Sequence, residues 1–150
     1  MIEKTLLYFL VFASAGITLE VLWSSFHSLS GKKNKRLTGK ISAWMLLIYG
    51  SIYFIVLFVQ SFAGEWHIAL RWIIYSLFIT TGEFTSGYLI KKITGIAPWD
   101  YSRNDPYDGI GSKKRFNFMG LICLEYAILW GGFGLLAEQL IFFLQSHLIL

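Results

Sequence analysis

Three carboxylates, those of Glu20, Glu83 and Glu125, lie inside long apolar stretches of this sequence. An ionisable group at membrane depth costs a few kcal/mol or more, so it usually faces a partner or a polar cavity. Counted from the nearest basic loop, Glu20 and Glu83 both lie about 12 Å deep, and Glu125 lies about 15 Å deep. The matched depths predict one site shared by three helices. The alternative is three separate side chains, each satisfied by a neighbouring Ser, Thr or Tyr.

Helical periodicity indicates which helix faces carry Glu83 and Glu125. In the third apolar stretch Glu83 belongs to a polar, small-residue stripe. In the last stretch a different small-residue stripe is suited to close helix packing, and Glu125 is turned well away from it. We therefore expect Glu125 to face a different neighbour. The first stripe comprises Ser76, Thr80, Glu83 and Gly87, and the second Gly120, Cys123, Ala127, Gly131, Gly134 and Glu138.

The densest group of chemically active side chains is Trp99-Asp100-Tyr101-Ser102, directly after Pro98. Proline stops a continuing helix, and Asp and Ser commonly cap turns. One interpretation is a capped turn whose aromatic residues anchor it at the membrane interface. The other is a loop that folds back over the carboxylate level and closes a polar cavity. There Asp100 would supply charge and Tyr101 a hydrogen bond.

Because this segment is rich in Trp, Asp and Tyr, we expect it to do more than connect two helices. We expect Trp99 and Tyr101 to be substantially buried. We expect Asp100 to hydrogen-bond within the protein, either to Asn117 or to a backbone N–H of the loop.

The elements that carry these residues are apolar helices. The hydrophobic fraction is 55%, the charged fraction 15% and the mean hydropathy +0.57, a balance unsuited to the surface of a soluble domain. The predicted fold class is all-α: a polytopic membrane protein with four transmembrane helices in a single domain, residues 1–150. The four apolar stretches are Thr5 to His27, Ile41 to Phe62, Trp66 to Ile90 and Phe116 to Leu150.

The last stretch is too long for one straight crossing. A helix of its length would extend about 52 Å, whereas the hydrocarbon core of a bilayer is about 30 Å thick. We therefore expect a long fourth helix that is kinked at Gly131-Gly132.

The basic residues predict the topology. Of the 13 Lys and Arg residues, most lie in residues 28–40 and 91–115, which the positive-inside rule assigns to the cytoplasm. Four spans then place both termini outside, in what we take to be a bacterial inner membrane. Because the basic residues are confined to loops, we expect no nucleic-acid partner. For Arg71 we favour contact with lipid headgroups over an ion pair with Glu65 or Glu138.

Redox and metal chemistry find little support in the sequence. Cys123 is the single cysteine, so no intrachain disulfide can form. His27, His67 and His147 are far apart and show no metal-ligand spacing with it. We expect neither a metal nor a cofactor.

Several short motifs lie along the chain: Gly16-x3-Glu20, Tyr49-Gly50, Glu83-x3-Gly87, Trp99-Asp100-Tyr101-Ser102, Asn117-x2-Gly120-x2-Cys123 and Trp130. Together they resemble those of a small bacterial membrane family labelled putative ABC-transporter type IV, or CmpB-type permease. The resemblance covers nearly the whole chain, although Ile48 stands where the family tends to have proline before Tyr-Gly. It implies a permease.

The leading functional hypothesis is a permease-like membrane component that binds a small solute or lipid in a carboxylate-lined polar cavity. Its candidate ligand-binding residues are Glu20, Glu83, Trp99, Asp100, Tyr101, Asn117 and Glu125. One alternative is a membrane-embedded enzyme acting on a lipid or isoprenoid headgroup, with Asp100 or Glu83 as acid or base. Another is an accessory membrane subunit. Expected partners are membrane lipids and either copies of the chain or other membrane subunits, since four helices rarely enclose a path alone.

The predicted topology can be tested by cysteine-accessibility labelling. A cysteine placed at Gly64 should react with a membrane-impermeant reagent in intact cells, because the short loop there faces outward. A cysteine placed at Ser112 should react only after the cells are opened, because residues 91–115 face the cytoplasm. Labelling of position 112 from outside would contradict the topology.

Overall fold

A computed structural model describes residues 2–32, 36–39, 41–103 and 113–147, without the side chains of residues 27, 28 and 30–32. The described residues form four helices and a small hairpin, so the all-α class is confirmed apart from that hairpin. The helices are α1 (Ile2–Lys32), α2 (Met45–Ala63), α3 (Ile68–Thr94) and α4 (Leu124–His147), and the strands are β1 (Asn117–Phe118) and β2 (Ile122–Cys123).

The helices associate as two pairs. Helix α1 packs along α2, and α3 packs along α4, while α2 also contacts α3 and α4. Glycines allow the close approach within the first pair. Gly16 lies directly against the ring of Tyr49, and Gly50 lies against the ring of Phe9. A methyl group at either glycine would overlap its partner ring, so these contacts fix the register of α1 on α2.

The α3–α4 pair combines glycine contacts with polar ones. Gly131 lies against Trp72, and Gly134 lies against Tyr75. Arg71 forms an ion pair with Glu138, whose side chain is only 1% exposed. The favoured interpretation of Arg71 as a headgroup contact was therefore wrong. Because Glu138 is buried, the arginine compensates a charge that lipid headgroups do not reach.

Apolar side chains fill the space between the two pairs. Val56 and Val59 of α2 are fully buried, as is the ring of Tyr75. Ile79 of α3 and Ile141 of α4 belong to the same core. Dispersion and close packing of these side chains therefore account for most of the contact between the two helix pairs.

The chain before α4 differs from the predicted long helix. Helix α4 begins at Leu124, and the preceding residues form an antiparallel hairpin that pairs Asn117 with Cys123. Its turn places Met119 and Gly120 in the left-handed region, at φ 55° and 72°. The helix has 24 residues, or about 36 Å, so its length no longer requires a kink at Gly131-Gly132.

Three of the described helices are long and apolar enough to cross a membrane. They comprise Ile2–Phe26, Met45–Ala63 and Leu124–His147. Helix α3 is longer than α2 but carries Arg71 and Glu83 within its apolar sequence, which lowers its hydropathy. These apolar helices characterise a membrane protein.

Replacing Gly134 by alanine should weaken the α3–α4 pair. The added methyl would overlap the Tyr75 ring, and overpacking costs about 1–3 kcal/mol, more than the gain of about 1 kcal/mol from replacing a helical glycine. Gly132→Ala is the matched control, because its methyl would lie 3.6 Å from Trp72, at ordinary contact distance. Thermal unfolding in detergent should show a lower midpoint for Gly134→Ala only. Equal midpoints for the two variants would contradict this account of the packing.

Candidate functional site

Glu83 lies on α3 with 7% of its surface exposed, and both of its carboxylate oxygens accept hydrogen bonds. Oε1 accepts from the hydroxyl of Tyr101 at 2.6 Å. Oε2 accepts from the indole N–H of Trp130 on α4 at 2.8 Å. Both donors are neutral. The contacts among the described residues therefore orient this carboxylate without giving it a positive partner.

A second carboxylate reaches the same region from α1. Glu20 accepts a hydrogen bond from the hydroxyl of Tyr49 on α2. Gly16, one turn earlier on α1, leaves the room that the Tyr49 ring occupies. Glu20 and Glu83 lie close enough for their charges to act on each other. The structure thus brings together two of the three carboxylates that the sequence placed at one depth.

The third carboxylate is not part of this group. Glu125 lies in the first turn of α4 and is exposed. Its predicted depth assumed that the helix began at Phe116, whereas the hairpin takes up those residues. Helix α4 instead contributes Trp130 and Tyr126, whose ring lies 5.2 Å from that of Tyr101. We call Glu20, Tyr49, Glu83, Tyr101, Tyr126 and Trp130 the carboxylate cluster.

The loop after α3 folds back to the level of Glu83, as the second interpretation of that segment predicted. Trp99 is 4% exposed, and its indole N–H donates to the carbonyl of Leu121 in the hairpin turn at 2.8 Å. Its ring packs on Gly87, where an added Cβ would lie 2.9 Å from the indole. Tyr101 is 6% exposed. The expected burial of Trp99 and Tyr101 is confirmed.

Backbone bonds hold Tyr101 at this depth. Its N–H donates to the carbonyl of Gly120 at 2.8 Å, and its own carbonyl accepts from the N–H of Lys114 at 3.0 Å. The loop is therefore joined both to the hairpin turn, at Gly120, and to the segment before the hairpin, at Lys114. This arrangement determines where the Tyr101 hydroxyl meets Glu83.

Asp100 stabilises the loop turn instead of joining the carboxylate cluster. Its Oδ1 accepts from the backbone N–H of Ser102 at 2.9 Å and from the Ser102 hydroxyl at 2.5 Å. Its Oδ2 pairs with Arg103 at 3.0 Å. The expected bond to a loop N–H is confirmed. The alternative partner was wrong, because the Asn117 amide donates to the Lys114 carbonyl at 2.7 Å.

Gly120 is the residue that allows the aspartate to lie against the hairpin turn. Its φ of 72° is strained for a residue with a side chain, and Asp100 Oδ1 occupies the place that a Cβ would take. A glycine at this position therefore allows both the positive φ and the close approach of Asp100.

The loop environment also sets the protonation of its side chains. Burial acts to raise the pKa of Asp100, but the bonds from Ser102 and the charge of Arg103 outweigh it and hold that pKa below its ordinary value. Burial, with the nearby Glu83 carboxyl, raises the pKa of Tyr101 well above the usual range. Tyr101 therefore keeps its proton at physiological pH and acts as a donor.

Cys123 is buried, and burial raises the pKa of its thiol to about 11, so the thiol stays protonated at physiological pH. Among the residues that the structure describes, no three His, Cys, Asp or Glu side chains are grouped so that they could hold a metal ion.

Residues 7–149 match the sequence model of the family described as putative ABC-transporter type IV. The chain belongs to this family. No solved structure matches it. Family membership and the apolar helices together support a membrane transport-related component. The matched region includes every residue of the carboxylate cluster, the loop and the hairpin.

Sequence reasoning did not name Tyr126 or Trp130 as contributors to a site. They lie four residues apart on α4, so they share a face of that helix. Aromatic residues with a polar tip usually find a hydrogen-bond partner when buried, and this property was the available indication. Which helix face points towards Glu83 became visible only once α4 was seen to begin at Leu124.

Asp100→Ala should destabilise the protein at neutral pH. The change removes the acceptor of two Ser102 bonds and the partner of Arg103, a loss of about 1 kcal/mol at this partly exposed position. Asp105→Ala and Asp108→Ala are the controls: both aspartates lie in the same polar segment, outside the described residues, and we expect them to be solvated turn residues. Thermal unfolding in detergent should show a lower midpoint for Asp100→Ala alone.

The effect should also depend on pH with a defined sign. Because the folded-state pKa of Asp100 is lowered, its stabilisation is complete above the unfolded value of about 4 and disappears as the pH falls through the folded value. The difference between wild type and Asp100→Ala should therefore shrink in acid. Equal midpoints for the three alanine variants at pH 7 would show that Asp100 does not stabilise the fold and that the loop only connects α3 to the hairpin.

Proposed function

We propose that this protein is a permease-like membrane component that binds a small solute or a lipid headgroup at the carboxylate cluster. The observation that carries the proposal is Glu83, a buried carboxylate whose two oxygens are oriented by neutral donors from two different elements. Glu20 lies near it on another helix pair. A group of this kind at membrane depth is usually retained for function, because it makes insertion into the membrane less favourable.

The charge of the cluster favours a positively charged solute. It contains two carboxylates, and no Lys or Arg contacts either of them among the described residues. A protonated amine could donate hydrogen bonds to the carboxylates of Glu20 and Glu83 in place of the tyrosine hydroxyls. The rings of Tyr101 and Tyr126 add surfaces that attract cations.

In this proposal α3 is the fourth transmembrane helix. Its 27 residues extend about 40 Å, which is enough to cross a bilayer. Its polar groups in the middle have partners inside the bundle: Arg71 pairs with Glu138, and Glu83 bonds to Tyr101 and Trp130. Residues 28–40 and 91–115 then face the cytoplasm of a bacterial inner membrane, and both termini face outward.

The position of the cluster is suited to a gated site. Glu20 and Tyr49 belong to the α1–α2 pair, whereas Glu83 and Trp130 belong to the α3–α4 pair. A relative movement of the two pairs would therefore open the space between the carboxylates. The loop that carries Tyr101 closes the cluster on the side of the basic residues. We further propose that the chain works with copies of itself or with other membrane subunits.

Mass spectrometry of molecules that co-purify with the protein tests this function. Wild type should retain an amine-containing solute or lipid, and Glu83→Gln should retain at least about tenfold less, because a desolvated charge contact is lost. Glu125→Gln is the matched control, since Glu125 is exposed and outside the cluster. The same molecules in equal amounts from wild type and Glu83→Gln would overturn the proposal.

A further inference from the structure

A groove of about 250 Å³ lies between α3, the hairpin and α4. Its lining includes Thr80 and Phe84 of α3, Phe118 and Ile122 of the hairpin, and Ala127 of α4. None of these residues belongs to the carboxylate cluster. Because the hairpin contributes to its lining, this groove differs from the shallow surface groove between two packed helices.

The lining of the groove is suited to hydrocarbon. The hydroxyls of two lining residues are bonded to backbone carbonyls: Ser76 donates to Ala127 at 2.5 Å, and Thr81 donates to Leu77 at 2.7 Å. The Thr80 hydroxyl is buried and has no hydrogen-bond partner among the described residues. The remaining lining is aliphatic and aromatic, so an apolar chain meets few competing polar groups.

The groove leads towards positive charge at the end of α3. Phe84, Tyr88 and Lys91 follow at i, i+4 and i+7 and therefore share one helix face. The rings of Phe84 and Phe118 are 5.7 Å apart at the groove, and Tyr88 stacks on Phe84 at 6.1 Å. Lys91 lies about 10 Å beyond Phe84 along the helix axis. Lys91 and its neighbour Lys92 are exposed.

We propose that this groove binds one anionic phospholipid. One acyl chain occupies the groove, and the phosphate group lies at Lys91 and Lys92. The fit rests on charge complementarity at one end and an apolar lining at the other, separated by a distance that a lipid spans. Asp100 lies close enough for its charge to act on Lys91, but its carboxylate is paired with Arg103, so Lys91 is available to a phosphate.

The orientation also follows from the helix. Lys91 and Lys92 lie in the last turn of α3, where the headgroup region of the bilayer begins if α3 spans it. From Phe84 back to Ser76 the groove follows α3 for about 12 Å, so it takes a segment of acyl chain within the hydrocarbon region. The bound lipid therefore belongs to the leaflet on the side of the basic loops.

Native mass spectrometry of the full chain released from nanodiscs tests the proposal. The nanodiscs contain equal amounts of dioleoyl phosphatidylcholine and dioleoyl phosphatidylglycerol. Each basic residue near the surface contributes about fivefold to the binding of an anionic lipid, so wild type should prefer phosphatidylglycerol about 30-fold at one site per chain. The double variant Lys91→Gln/Lys92→Gln should lose this preference.

Two further variants separate the groove from general charge attraction. Ala127→Phe fills the groove and should abolish retention of the single lipid, while both lysines stay in place. Lys4→Gln, an exposed change near the opposite end of the bundle, should leave the preference at its wild-type value. Thermal midpoints equal to wild type for the variants establish that they are folded.

Thr80→Val distinguishes a lipid chain from a polar occupant. It preserves the shape of the groove and removes the unpartnered hydroxyl, so retention of phosphatidylglycerol should be unchanged or greater. Loss of the lipid in Thr80→Val alone would overturn the proposal in favour of a polar ligand. Equal retention of the two lipids, unchanged retention in Ala127→Phe, or a lipid-free dimer would also overturn it. None of these results depends on what occupies the carboxylate cluster.

Discussion

The buried carboxylate of Glu83 is the constraint on which the rest of this structure depends. An acidic side chain in the apolar part of a helix needs donors, since water does not reach it. The donors come from Tyr101, in the loop after α3, and from Trp130 on α4. The first requires the loop to turn back into the bundle, and the second fixes which face of α4 points towards α3. One polar group thus sets the position of two elements.

Small residues make these contacts possible. Gly87 accepts the indole of Trp99, Gly16 accepts the ring of Tyr49, and Gly120 lies against Asp100. Each glycine therefore lies where an aromatic or polar side chain needs the backbone to come close. Gly16, Gly87 and Gly120 all lie within the region that matches the family.

A second polar group stabilises the opposite end of the α3–α4 pair. Arg71 and the hydroxyl of Tyr75 both bond to Glu138, whose carboxylate is almost completely buried. Here a positive charge compensates the acid, whereas within the described part of the chain the donors to Glu83 are neutral. A compensated carboxylate is suited to a structural role. An uncompensated one is suited to binding a cation, and this difference separates the two buried acids of the pair.

The sequence by itself determined the apolar helices, the placement of Glu20 and Glu83 within them, and the burial of the loop aromatics. These properties depend on composition and on the regular rise of a helix, which are local quantities. The tertiary structure alone decided that Arg71 pairs with Glu138 and that Trp130, instead of Glu125, meets the cluster. The depth of Glu125 was mistaken because the apolar residues before Leu124 were counted as helix. Hydropathy does not distinguish an apolar hairpin from an apolar helix, and the contacts of that segment with the loop after α3 decide between them.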